Sequence, residues 1–286
     1  MHDVSVVSHV TRKWWSLFTL PIVLAFAFGF IVPFIIGIYL SFTTFTTITD
    51  SEWVGMDNYI EVFKDPVFLH ALWFTALYAV VTTVIINVIS FFLAYMLNTA
   101  MRGAKFFRSI FFLPNLIGGI ILGYIWQLLL NGILSHWDLS LTLSAKYGFW
   151  GIVIVSCWQS IGYEMIIYLA GLQNVPQELM EAAAVDGASS SQSVFHVLLP
   201  LMMPSITVCT FLTLTGGFKV FDQNLALTGG QPSNTSAMLA LDIYKTFYQG
   251  VGTEGLGQAK AVMFLIIVAL VAVLQNKLTT SKEVEA

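Results

Sequence analysis

Between Ala71 and Leu97 the chain carries no Asp, Glu, Lys or Arg. A helix over that stretch, rising 1.5 Å per residue, reaches about 40 Å, enough to cross the hydrocarbon core of a bilayer. Five more apolar runs share this character, at about 17–42, 110–130, 149–172, 201–221 and 256–274. Unpaired backbone cannot stay in lipid, so each run must be a helix. Composition agrees: of 286 residues, 57% are hydrophobic and 10% charged, where a soluble domain carries about a quarter charged. The expectation is an all-α membrane protein of six transmembrane helices, 1–286 forming one domain. The first run is too long for a cleavable signal segment, so none is expected before it. Cys157 and Cys209 both lie inside apolar runs and read as small buried residues.

Lysine and arginine set the orientation. Arg12, Lys13, Arg102, Lys105, Arg108, Lys277 and Lys282 all fall on one side of the six runs, which the positive-inside rule makes cytoplasmic. The opposite loops hold Lys64, Lys146 and Lys245 and an acidic stretch from Asp50 to Asp65. Both termini then face the cytoplasm, and so does the segment 178–196. Lys260 interrupts the start of the last run, where a lysine can snorkel to the interface.

That cytoplasmic segment is unusual. Glu178 to Val185 is made of strong helix formers, Gly187 stands where such a helix ends, and Pro200 where the next one would begin. A short firm helix held outside the membrane suits the transfer of motion from a soluble partner. Glu181-Ala182-Ala183, three residues, Gly187, nine residues, then Val197-x-Leu199-Pro200 resembles the EAA motif of ABC importer permeases, with Val197 for the family's Ile. Trp53 to Tyr59, Phe107-Arg108 with Phe112-Leu113-Pro114, and Phe218 to Asp222 with Leu227 to Gly230 resemble elements of the carbohydrate-uptake (MalF-like) branch. Gln231 departs from that pattern by placing Pro232 one residue late. The maltose-importing member of the branch has two additional spans and a large outer insert that this chain lacks.

The resemblance implies a type I ABC importer permease fold in a bacterial plasma membrane, importing a di- or oligosaccharide. Glu181, Ala182, Ala183, Asp186 and Gly187 would couple to a dimeric cytoplasmic ATPase. That ATPase would bind ATP and Mg, since the chain has no GxxxxGK[ST] loop and would carry no cofactor and catalyse no covalent chemistry itself. The other implied partners are a second, homologous permease subunit and an extracytoplasmic sugar-binding protein. Nothing points to nucleic acid, and the five histidines show no metal-ligand spacing.

A sugar path needs polar groups within the spans. Ser156, Gln159, Ser160 and Tyr163 lie on one face of the fourth, beside Trp158; they could meet sugar hydroxyls or bond neighbouring helices. The resemblance favours the path and puts most weight on Tyr163. In the fifth span Thr213, Gly216 and Gly217 could line the path or pack closely. Lys219 and Asp222, three apart, could pair with each other. Glu164 is the one carboxylate well inside a span and sits beside the path face; a proton-coupled secondary transporter would use it as its acid. An ABC permease for a non-sugar solute is the other alternative.

Overall fold

A computed structural model describes residues 17, 19–47, 49–98 and 103–281. Arg12, Lys13, Arg102 and Lys282 therefore lie outside the described residues. Helices account for nearly all of the regular structure: α1 Thr19–Leu40, α2 Asp57–Lys64, α3 Pro66–Leu97, α4 Ala104–Phe112, α5 Gly119–Leu134, α6 Ala145–Asn174 and α7 Gln177–Val185. They continue with α8 Ser190–Leu201, α9 Met203–Phe218, α10 Asp222–Leu227, α11 Leu239–Gln249 and α12 Glu254–Thr280. The described chain forms two compact units, one within Met1–Val62 and Thr246–Val262, the other within Phe63–Lys245 and Met263–Ala286.

In the first unit α1 ends at a two-stranded hairpin, β1 Thr43–Thr44 against β2 Glu52–Trp53, paired antiparallel with Thr43 opposite Trp53. The Trp53–Tyr59 element explains how that turn is held. Asn58 Nδ2 donates to the carbonyls of Ser41 (3.0 Å) and Thr43 (2.9 Å), and the Tyr59 and Ser41 hydroxyls share a 2.6 Å bond. Trp53 stacks on Phe42. Backbone groups left over at the end of α1 thus find side-chain partners, as buried carbonyls require. Lys260 does not snorkel: it is 2% exposed and its Nζ donates to Thr246 Oγ1 at 2.9 Å.

The second unit is built around α6. Over half of its membrane-length window is buried, 56%, against 28% for α3 and 11% for the third span. Its outer half packs Phe149, Ile152 and Val153 against Phe74 and Tyr78 of α3. Its inner half packs Met165, Tyr168 and Leu172 against Ala94, Leu198 and Met202. Polar ties lock α3, α6 and α9 together: Tyr168 donates to Asn87 Oδ1 (2.6 Å), Asn87 Nδ2 to Thr213 Oγ1 (2.9 Å), and Ser90 to the Ile161 carbonyl (2.9 Å). In α4, Arg108 donates to the carbonyl of Leu97 (2.7 Å), so the Phe107-Arg108 pair caps the end of α3.

Two span boundaries differ from the sequence reading. The third span does not start at 110. α4 gives way to a 3-10 turn, Leu113–Leu116, and Ile117 is extended, so the crossing helix begins at Gly119. Pro114 fixes its own φ and donates no hydrogen bond, and the helix breaks there. The fifth span does not start at Pro200 either. α8 runs on through Pro200, with a wider turn at Val194–Leu198, which relieves the missing Pro200 donor. The chain then bends by 72°, and α9 starts with Pro204 in its first turn.

The loop after α10 is tied internally. Asn224 Nδ2 donates to the Ser236 carbonyl and its Oδ1 accepts from Met238 N–H. Lys245 Nζ donates to the Gly229 carbonyl and to Asn234 Oδ1. Burial pulls the Lys245 ammonium below its ordinary pKa, with Asp242 opposing. Gln231–Pro232, where the sequence departs from the family pattern, is a cis peptide.

One helix contact is testable by a single carbon. At Gly162 of α6 an added Cβ would run into the Phe111 carbonyl, backbone against backbone. Gly162→Ala should therefore lower stability by about 1–3 kcal/mol, read as earlier thermal unfolding in detergent. Gly132→Ala, where nothing lies within 4 Å, should leave unfolding unchanged.

Candidate functional site

The polar residues picked out on α6 and α9 meet in one cavity of about 490 Å³. Ser156, Ser160 and Tyr163 of α6 face it, as do Thr213, Gly216 and Gly217 of α9. Their convergence follows from helix geometry: positions 156, 160 and 163 share a face, and the Asn87–Tyr168–Thr213 bonds set the rotation of the helices that carry them.

The members differ in how free they are. Thr213 gives its hydroxyl proton to the Cys209 carbonyl (2.8 Å) and accepts from Asn87, so its oxygen is largely taken by the scaffold. Gly217 serves close packing: an added Cβ would stand 2.8 Å from Ala79 Cα. Gly216, its neighbour, has nothing within 4 Å of that position and leaves the cavity wall open. Tyr163 is 41% exposed, its phenol available to a ligand. Gln159 is not on the wall. Its Nε2 donates to the Ile117 carbonyl (2.9 Å) and its Oε1 accepts from Gln223 Nε2 (2.6 Å), so it holds the wall residue Gln223 in place. Trp158 turns away, lines an apolar groove beside Phe111 and Pro114, and meets Trp126 edge-on at 5.3 Å.

Sequence reasoning missed part of the wall. Tyr78 and Thr82 of α3, Asn115 from the 3-10 turn, and Gln223 also line the cavity. No pattern within one helix marks these, because the break at Pro114 and the turn after α9 bring them in. Lys219 and Asp222 both belong to the wall. Glu164, placed beside the path by its sequence position, faces the cavity as well.

The second feature is the helix α7. Glu181, Ala182, Asp186 and Gly187 are exposed and Ala183 half-buried. The end of α7 is built as a closed turn. Gly187 has φ +81°, its N–H bonds the Ala184 carbonyl (3.1 Å), and the Ala188 N–H bonds that of Ala183 (3.0 Å). This paired arrangement needs a left-handed residue where glycine stands. Two residues later Ser189 opens α8: its hydroxyl accepts from Gln192 N–H and the Gln192 side chain accepts from Ser189 N–H. The spacing from Glu181 to Gly187 thus writes a helix, its stop and a fixed corner into the next helix. Met180 and Val194 anchor the corner on the inner core, while Val185, 87% exposed, and Phe195, 64% exposed, present apolar surface outward.

Residues 102–282 match the family described as binding-protein-dependent transport system inner membrane component. A probable starch degradation products transport system permease protein, AmyD of Thermoanaerobacterium thermosulfurigenes, is 41% identical over 95% of this chain and 96% of its own length. The multiple sugar-binding transport system permease protein MsmF of Streptococcus mutans is 33% identical over 96% and 98%. Among solved structures, a chain of the bacterial ABC transporter involved in the import of the acidic polysaccharide alginate superposes with a TM-score of 0.80. That match covers 96% of this chain and 98% of that one at 22% identity, and so speaks for the fold. The chain belongs to the family of binding-protein-dependent transport system inner membrane components.

Proposed function

We propose that this chain is the translocation subunit of an ATP-driven ABC importer for oligosaccharides. The observation that carries the reading is the cavity itself: hydroxyl, phenol and amide groups from three helices converge where lipid would otherwise demand apolar surface. Such groups suit sugar hydroxyls, and relatives at 41% and 33% identity carry names that speak of starch degradation products and multiple sugars. A malto-oligosaccharide is the first cargo to test.

In this reading a sugar-binding protein docks outside and a second, homologous permease completes the path. A dimeric ATPase binds ATP and Mg on the cytoplasmic side and grips α7. The charges of Lys105, Arg108 and Lys277 support a cytoplasmic side shared by the α7 corner and both termini. The exposed apolar Val185 and the carboxylates Glu181 and Asp186 are the contact surface. The permease moves; it performs no covalent step.

Two variants test the coupling. Gly187→Asp forces a β-carbon into the left-handed region, costing about 1–2 kcal/mol at the corner, and adds charge to the contact surface. It should abolish sugar uptake and binding-protein-stimulated ATP hydrolysis while membrane insertion persists. Gly187→Asn, which tolerates this backbone better, should retain more of both; normal uptake in Gly187→Asp would refute the coupling role. Val185→Cys should form a disulfide with a cysteine scanned across the ATPase surface in the assembled complex, with a yield that changes when ATP is added. Failure to cross-link anywhere on the ATPase would place its docking surface elsewhere.

A further inference from the structure

The cavity wall contains hydrogen-bonding atoms that the protein leaves unsatisfied. Glu164 is 3% exposed, and its Oε2 has no partner among the described residues; Ser156 Oγ, 7% exposed on the same helix, has none either. Both residues face the cavity. Buried carboxyl oxygens without a partner are costly, and in a membrane helix that cost marks a group kept for use. Cys209 Sγ stands 4.0 Å from the Glu164 backbone carbonyl, too weak a donor to answer the carboxylate.

The charge on the wall adds a second constraint. Glu164 and Asp222 bring two carboxyl groups into the cavity against one ammonium, that of Lys219. A carboxylate accepts hydrogen bonds from sugar hydroxyls and repels a second anion in a low-dielectric site. The same fold serves a transporter involved in the import of acidic alginate, so the backbone does not exclude acidic sugars. Side chains must do so.

We propose that Glu164, with Ser156, is a specificity-determining element of the path that reads cargo hydroxyls and selects neutral oligosaccharides over acidic ones. The proposal rests on the sugar reading above and adds its substrate class.

The test uses the full complex in liposomes, with binding protein loaded with labelled maltotriose outside. The readout is maltotriose imported per ATP hydrolysed. Glu164→Leu should keep stimulated ATP hydrolysis within about twofold of wild type yet import about tenfold less sugar per ATP, the size expected for losing one hydrogen bond to a charged group. Glu164→Gln should restore most of the import, because an amide still bonds hydroxyls. In the vanadate-arrested complex, a glucuronate-containing trisaccharide should compete poorly for the maltotriose site in wild type and about tenfold better in Glu164→Gln. Proportional loss of import and hydrolysis in Glu164→Leu would overturn the proposal by assigning a structural role. So would competition by the acidic trisaccharide that Glu164→Gln leaves unchanged. A wild-type complex that hydrolyses ATP on demand but imports no neutral sugar would overturn the sugar reading itself. That outcome is distinct from the other two, in which wild-type import is normal.

Discussion

A backbone amide or carbonyl left unpaired in hydrocarbon costs several kcal/mol, and this constraint decides nearly every feature of the chain. It makes the apolar runs helices and permits breaks only where protein can shelter them. The two breaks obey that rule. The extended residue Ile117 has its carbonyl bonded by Gln159 of α6. The bend between α8 and α9 sits at Met202, 1% exposed within the inner core. Both interruptions are buried against α6, the helix best covered by protein.

From the breaks comes the cavity. A straight third helix from 110 would carry Asn115 along its own axis, whereas the Pro114 turn sets Asn115 into the wall. α9 ends at Phe218, and the chain turns at once into α10, which brings Lys219, Asp222 and Gln223 to the same space. Polar groups converge because helices that would otherwise pass straight through are cut short beside a continuous one. Close packing makes this possible: Gly162 and Gly217 let neighbouring backbones touch, and the Asn87 bonds fix the register between α3, α6 and α9.

The number and kind of spans are legible in hydropathy, because a stretch such as Ala71 to Leu97 has no other stable state in lipid. The face carrying Ser156, Ser160 and Tyr163 is legible for the same reason: helical period alone brings those positions together. Gln159 shares the periodicity but not the environment, since its amide is claimed by Ile117 and Gln223, and no single-helix pattern carries that information. The prolines mislead by one step. Pro200 and Pro204 are both suitable first-turn residues, and only the packing of Leu198 and Met202 against α6 decides that the chain bends after Pro200. The Trp53–Tyr59 element matches a family pattern in sequence, but its physical reason emerges only from Asn58 and Tyr59 bonding the turn after α1.

The rigid corner at Gly187 acquires its meaning from the helices it leads into. From the closed turn at Gly187, through the Ser189–Gln192 capping pair, α8 and the Met202 bend, the chain reaches Thr213 and Gly216 in the cavity wall with no unstructured segment beyond the Gly187–Ser189 corner. Both ends of that corner have their backbone donors and acceptors satisfied locally. A displacement applied to α7 therefore has few soft torsions in which to dissipate, and close-packed interiors shift between discrete arrangements rather than bending smoothly. The one sharp angle on the route, 72° at Met202, lies in the inner core against Met165 and Leu198, where a rotation of α8 must repack the contacts between α6 and α9. That junction is where movement outside the membrane becomes movement of the cavity wall, which explains why a conformationally demanding glycine stands in a surface corner far from any cargo.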